Sequence, residues 1–242
     1  MHKPELEELA FHHTLLGELI LRRRTVPSLD NAEVFEIKLD DAFLMSSLNT
    51  ETEVALAKIP LKQLGEGTHD VLIGGLGLGY TAKAALDCAN VRTVSVIEVL
   101  PQVIDWHRRG IVPLGRWLMA EPRFKVIHGD FFEWALSHEA VTQEDLPQSF
   151  GAILIDIDHS PEYLLHPAHR RFYEEESLRR LAEHLAPGGV FGLWSADPPQ
   201  ASFVRKMEAV FDTVTTHEVE FFDLLRNEPD ANTIYLAHGP RK

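Results

Sequence analysis

The sequence predicts an α/β fold: a mostly parallel, seven-stranded sheet covered by helices, preceded by an N-terminal helix and a β-hairpin. Three observations carry that reading. From residue 70 onward, short apolar runs alternate with segments of helical spacing, the pattern of parallel strands joined by crossover helices. The strand interiors, VLIG at 71–74, AILID at 152–156 and VFGLW at 190–194, are continuously apolar, as a sheet buried on both faces requires. The first of these runs opens into Gly74-Gly75-Leu76-Gly77-Leu78-Gly79, whose glycines let backbone approach a ligand where a Cβ would clash.

Along the chain, residues 5–24 place Leu6, Leu9, Leu15, Leu16, Leu19 and Ile20 between charges and end in Arg22-Arg23-Arg24, which predicts the N-terminal helix. Residues 33–48 alternate apolar and polar about Asp40-Asp41 and predict the hairpin. A helix over roughly 50–64 runs to Gly65-Glu66-Gly67, which marks the boundary between an N-terminal lid or dimer element, 1–66, and a ligand-binding domain, 67–242. Strands are expected at 70–74, 93–98, 124–128, 151–157 and 189–195, with helices near 80–89, 101–109 and 172–186. Leu185-Ala186-Pro187-Gly188-Gly189-Val190 ends a helix and feeds the fifth strand. After a helix near 200–210, alternating runs at 212–222 and 232–238 around the polar loop RNEPDAN predict an antiparallel pair closing the sheet edge.

The 242 residues suit one large domain with a small appendage. A hydrophobic content of 45% with 25% charged residues is that of a soluble globular protein. The net charge of −14 opposes sequence-independent nucleic-acid binding, because it repels phosphate backbones, and favours a cationic substrate. A single cysteine, Cys88, forms no intramolecular disulfide and suits a reducing cytoplasm; its place in AKAALDCA reads as a buried helix face. No apolar stretch approaches the ~18 residues of a membrane span, and MHKPELEELA lacks an apolar signal core, so a cytoplasmic location without a membrane partner is expected. There is no GxSxG, no P-loop lysine after the glycines and no CxxC. Apart from adjacent His12-His13, the histidines do not fall at metal-ligand spacing, and no metal is expected.

Candidate site residues cluster at strand ends. Glu98 ends the second strand about 20 residues after the glycines, where a carboxylate can accept hydrogen bonds from both hydroxyls of a ribose; its bland role is a solvated strand end. The pattern Gly77, Gly79, Ala82 also fits a dinucleotide fingerprint. Gly129-Asp130 closes the third strand, where the carboxylate meets an adenine amino group, caps the following FFEWAL helix, or does both. Asp156-Ile157-Asp158-His159-Ser160-Pro161 leaves the fourth strand. Asp156 is placed to orient an amine, and Asp158 projects to the same side if the segment is extended. His159 titrates near neutrality and suits a general base. The competing roles are Asp158 or Ser160 holding a turn before Pro161, and His159 as an ordinary loop residue. Trp194 to Asp197 either lines the substrate pocket or, at Trp194, packs in the core.

Taken together, VLIGGLGLGYTAKAAL, VSVIEVLPQVIDW, VIHGDFFEWA, AILIDIDHSP and LAPGGVFGLWSA resemble the class I S-adenosylmethionine-dependent transferases, and within them the spermidine synthase (polyamine aminopropyltransferase) branch, over residues 33–238. The resemblance implies a Rossmann-like class I methyltransferase fold that binds S-adenosylmethionine or decarboxylated S-adenosylmethionine. It implies that Gly74, Gly75, Gly77 and Gly79 hold the methionine part and the ribose, that Glu98, with Val99 beside it, binds the ribose hydroxyls, and that Gly129 and Asp130 hold the adenine. Asp156 matches the acid that positions and deprotonates the attacking amine, with Asp158 and His159 as further catalytic candidates.

Two departures bear on the acceptor. The branch carries an Asp-Ser-Ser-Asp-Pro loop, whereas here His159 stands three residues after Asp156 and only Asp158 is at hand to substitute. Its Gln and its Asp-Glu-x-x-Tyr-His segment are replaced by MSSLNTETEVALAK, where Glu51 or Glu53 keeps the acidity. With that acceptor set broken, methyl transfer to a small-molecule acceptor, a cationic amine included, is the leading expectation, and aminopropyl transfer to a polyamine the alternative. A nicotinamide oxidoreductase, resting on the dinucleotide pattern and Glu98, and a catalytically silent binding module stay open. The resemblance also allows a homodimer, with the apolar N-terminal helix as its interface.

Overall fold

The computed structural model describes residues 5–137 and 146–240. Four strands, β1 (Leu6–Thr14), β2 (Gly17–Val26), β3 (Ala32–Leu39) and β4 (Ala42–Ser46), form an antiparallel sheet in sequential order. Helix α1 (Glu51–Leu61) leads to the main sheet. That sheet is built from β5 (His69–Gly74), α2 (Tyr80–Leu86), β6 (Val91–Glu98), α3 (Pro101–Arg109), α4 (Gly115–Ala120), β7 (Phe124–His128), α5 (Phe131–Ser137) and β8 (Phe150–Ile155). It continues with α6 (Glu175–Ala182), β9 (Leu185–Ser195), α7 (Ala201–Glu208), β10 (Phe211–Asp223) and β11 (Glu228–Pro240). The strand order is β10-β11-β9-β8-β5-β6-β7. Strands β5 to β9 pair in parallel, and β11 joins β9 antiparallel, so the sheet is mostly parallel with an antiparallel edge, as expected.

The N-terminal helix is a correction: residues 5–24 form a hairpin, β1–β2. The leucine spacing fits a period of two as well as one of 3.6, and Leu19 and Leu21 are both fully buried on one face of β2. Gly17, at φ +133°, turns the chain in the middle of the run. The Thr14 hydroxyl closes that turn, donating to the Gly17 carbonyl at 2.8 Å and accepting the Leu16 amide at 3.1 Å. The three arginines do not end a helix but pair across strands. Arg22 Nε lies 2.5 Å from the buried Glu36 carboxylate on β3, and Arg23 lies 2.6 Å from Glu7 on β1. The helix expected over 172–186 is likewise shorter, a 3-10 segment at Pro167–Tyr173 followed by α6.

Both faces of the main sheet are covered. One core joins Leu19, Leu21, Ile37 and Leu39 of the small sheet to Leu56, Leu78, Trp106 and Leu118. The other gathers Phe131, Phe150, Phe172, Phe191, Phe211 and Tyr235. Each aliphatic side chain buried between the sheets stabilises the arrangement by about 1.5–3 kcal/mol, so the small sheet is fixed to the large one by core packing. Among the described residues no helix is long and apolar enough to cross a membrane.

Glu36 is 1% exposed and faces Arg22 and Arg24, whose side chains keep about a third of their surface in water. Glu36→Ala is therefore expected to lower the unfolding free energy by about 2 kcal/mol, the low end for a broken buried pair because the arginines retain solvent. Urea unfolding measures this. A midpoint unchanged from wild type would show that the cross-strand pairs do not hold the hairpin.

Candidate active site

The C-terminal ends of β5 to β8 open into a cavity of about 1190 Å³. It is roofed by Ile37, Phe43 and Met45 of the small sheet and by Phe221 and Arg226 of the β10–β11 hairpin.

The glycine turn forms the floor. Gly75 (φ +91°) and Gly77 (φ +48°) line the cavity. A Cβ on Gly75 would stand 2.3 Å from the Asp156 carbonyl oxygen, backbone against backbone, with no side chain able to move aside. At Gly77 the place of a Cβ is taken by Met45 Sδ of β4, which accepts the Leu78 amide at 3.0 Å. The other two glycines expected to touch a ligand do not line the cavity. Gly74 gives room to the Phe131 ring, and Gly79 (φ +90°) to the Leu118 side chain. They serve packing, because helices α4 and α5 close on the turn from its protein side.

Glu98 is buried at the end of β6. Its Oε2 accepts the Leu76 amide and its Oε1 the Leu100 amide, each at 2.8 Å. Burial pushes this carboxyl above the usual range, and the backbone amides pull it part of the way back. The Gly77 and Val99 amides also bear on this carboxylate, which lines the cavity wall. Val99 lies beside it on the wall. The Gly129 amide donates to the Glu98 carbonyl at 3.0 Å and ties β7 to β6, which sets Asp130 at the cavity edge. Asp130 caps α5, its Oδ1 accepting the Phe132 amide at 2.8 Å and the Glu133 amide at 3.1 Å. Of the two roles expected of it, the cap is the one these bonds form, and the residue also lines the cavity.

Asp156 leaves β8 with its amide on the Gly74 carbonyl (3.0 Å) and its Oδ2 accepting the Thr81 hydroxyl (2.7 Å) from the first turn of α2. Opposite stands Glu53 of α1, which sequence left undecided against Glu51. Glu53 is buried and lines the cavity, whereas Glu51 is exposed at its rim. A chain of donors fixes Glu53: Trp194 Nε1 of β9 donates to Thr52 Oγ1 at 3.0 Å, and Thr52 Oγ1 donates to Glu53 Oε2 at 3.1 Å. Burial pushes Asp156 up to about 6. Burial and the negative charge of Asp156 push Glu53 up to about 8. Each carboxyl therefore holds its proton to a higher pH than it would in water, because both are buried and the charge of Asp156 opposes that of Glu53.

Asp158 is the main correction at the site. Strand β8 ends at Ile155, so the segment beyond is not extended and Asp158 does not share a side with Asp156. It is buried among three donors: the Leu165 amide (2.7 Å), His169 Nδ1 (2.8 Å) and the Tyr173 hydroxyl (2.9 Å). It anchors the 157–173 segment, and Ser160 holds the turn beside it by accepting the Tyr163 amide at 3.0 Å. His159 does line the cavity. Burial holds its imidazole below the ordinary value, and its ring lies 5.0 Å from that of Tyr163. Sequence reasoning missed Thr52, Thr81, Met45 and His169. Each meets a partner 11 to 142 residues away, and no periodicity signals such a contact.

The acid pair has a stability consequence. Its folded pKa values lie above the ordinary 3.8 and 4.5, so the folded state binds more protons than the unfolded chain between about pH 4 and 8. The pair's contribution is full below pH 4 and lost as pH rises through 8. Thermal unfolding of wild type should weaken across pH 5–8 more steeply than that of Glu53→Gln. Parallel curves for the two proteins would refute the raised pKa of Glu53.

No protein-family model matches the chain. Among curated proteins it is 27% identical over 159 residues to polyamine aminopropyltransferase 2 of Pseudomonas aeruginosa, covering 62% of this chain and 41% of that protein. The match thus spans less than half the length of that relative. Among solved structures it is similar to a spermidine synthase in complex with the transition-state analogue AdoDATO, with a TM-score of 0.72 and 18% identity over 95% of this chain and 73% of that one. It is similar to spermidine synthase from Thermotoga maritima, with a TM-score of 0.70 and 17% identity over 95% and 71%. More distantly it matches human methyltransferase-like protein 13 in complex with SAH, with a TM-score of 0.53 and 20% identity over 78% and 79%. With the strand order β10-β11-β9-β8-β5-β6-β7 and the small antiparallel sheet in front of it, the chain has the class I S-adenosylmethionine-dependent transferase fold in its spermidine synthase-like form.

Proposed function

We propose that this protein transfers an aminopropyl group from decarboxylated S-adenosylmethionine to an amine of the polyamine class. The observation that carries the reading is the Glu53–Asp156 pair, two neighbouring buried carboxyls on the wall of the cavity. Sequence favoured methyl transfer because a second acceptor carboxylate was missing from the loop after β8. Glu53 supplies one from α1 instead. The likeness to a polyamine aminopropyltransferase and to a spermidine synthase bound to AdoDATO supports the same choice.

The residues present fit an adenosyl donor. Glu98 and Asp130 put carboxylates on the wall of the cavity that Gly75 and Gly77 also line, which supports a ribose and adenine reading of that wall. The charge of the lining selects the decarboxylated form. Among the described residues Arg226 is the sole arginine or lysine on the cavity wall, and it already pairs with Asp223 and Asp230. A donor carboxylate would meet Glu53 and Asp156 with no cation to offset them. One like-charged contact near 4 Å costs about 4 kcal/mol at an effective dielectric of about 20.

When bound, the sulfonium supplies an electrophilic carbon and a neutral thioether leaving group. The protein's part is alignment and proton removal. Glu53, held by Thr52, attracts the cationic amine into the pocket. Asp156, held by Thr81, takes the proton that frees the nitrogen lone pair.

Three outcomes test this. Incubation with decarboxylated S-adenosylmethionine and putrescine or spermidine should release 5′-methylthioadenosine; S-adenosylhomocysteine from S-adenosylmethionine would assign methyl transfer instead. Asp156→Asn should lower kcat by roughly 10²–10⁴-fold, the range for a lost general base, while Glu53→Gln should act mainly on the KM for the amine. Amine affinity should rise as pH goes from 6 to 8, because the cation competes with the protons that the two carboxyls lose over that range. Titration calorimetry reads that slope, and a flat profile would remove the pair from the amine site.

A further inference from the structure

The acid at position 158, displaced from the reacting end, organises a different part of the cavity. His169 Nδ1 lies 2.8 Å from Asp158 Oδ1, and Asp158 also receives the Leu165 amide and the Tyr173 hydroxyl. Burial and the neighbouring carboxylate push the Tyr173 hydroxyl well up, so it remains a donor. A carboxylate only accepts, so Nδ1 of His169 carries a proton. In the neutral ring Nε2 is then a bare acceptor. No described residue engages it, and His169 lines the cavity.

The position along the cavity follows from Phe132. Its amide is bonded to Asp130, and its ring centroid is 4.3 Å from that of His169. His169 therefore stands at the Asp130 end, with Leu165 and Ala168 on the same wall. Glu53, Asp156 and Trp194 line the cavity as well. Asp130 uses Oδ1 to cap α5, and Oδ2 is engaged by no described residue.

Two acceptors thus stand on the cavity wall beside Phe132: Asp130 Oδ2 and His169 Nε2. An exocyclic amino group has two N–H donors. We propose that His169, oriented by Asp158, is a specificity-determining residue that accepts the second proton of the adenine 6-amino group, with Asp130 accepting the first. A 6-oxo purine presents an acceptor there and would face two acceptors with no proton between them, which is how a site rejects an isostere. The proposal deepens the nucleoside reading of the cavity and rests on it.

The test is titration calorimetry with 5′-methylthioadenosine, its 6-oxo analogue 5′-methylthioinosine and its 7-deaza analogue. Wild type should bind the 6-amino ligand at least 100-fold more tightly than the 6-oxo one and tolerate the 7-deaza change. His169→Ala should lose about tenfold for the 6-amino ligand and stay within twofold for the 6-oxo ligand. His169→Gln, which keeps bulk and an acceptor, should recover part of the loss. An unchanged 6-amino to 6-oxo ratio in both variants, or a loss confined to the 7-deaza ligand, would overturn the assignment while leaving the nucleoside site intact. Failure of wild type to bind 5′-methylthioadenosine would overturn the nucleoside reading, and this inference with it.

Discussion

The turn after β5 can exist only with no side chain at Gly75. That residue sits at φ +91° with its missing Cβ directed at the Asp156 carbonyl, 2.3 Å away. The closeness is what brings the ends of β5 and β8 together: the Asp156 amide bonds to the Gly74 carbonyl, and the Gly75 amide to Ile97 of β6. Three strand ends are thereby tied within one turn. From it follow the seat of Glu98 on the Leu76 amide, the grip of His107 on the Gly77 carbonyl at 2.9 Å, and the approach of Thr81 to Asp156. A bulkier residue would separate these contacts together, because they share one piece of backbone.

The small N-terminal sheet is part of this arrangement. Met45 reaches from β4 into the space over Gly77, and its sulfur takes the Leu78 amide. The buried leucines of β2 share a core with α3 and α4 through Trp106 and Leu118. Helix α1, which follows this sheet, then carries Glu53 to a position opposite Asp156, with Trp194 of β9 locking it through Thr52. The acid pair is thus assembled from α1, β8 and β9, held by α2. Its raised pKa values are a consequence of that enclosure, since both carboxyls are buried and the charge of Asp156 opposes that of Glu53.

The loop after β8 divides its labour in an order that spacing conceals. Of its three polar residues, Asp156 faces the reacting end, His159 lines the wall and donates nothing to the main network, and Asp158 turns inward to fasten 157–173. Adjacent acids in one short motif have opposite fates because the chain stops being a strand at Ile155. Beyond that point the period of two that would align 156 with 158 no longer applies.

The parallel sheet, its strand positions and the glycine turn were legible in the chain because they rest on local properties: continuous apolar runs, turn residues and a carboxylate at a strand end. Glu98, Asp130 and Asp156 were legible for the same reason, since each closes a strand whose end the pattern marks. The hairpin at 5–24 was not, because its leucines satisfy two periods and only the cross-strand pairing of Arg22 and Arg23 with Glu36 and Glu7 decides between them. Nor was the choice of Glu53 over Glu51, the inward turn of Asp158, or the arrival of His169 beside Asp130. Those depend on which groups lose water together when distant segments pack, and that is a property of the assembled tertiary structure that no local window of residues contains.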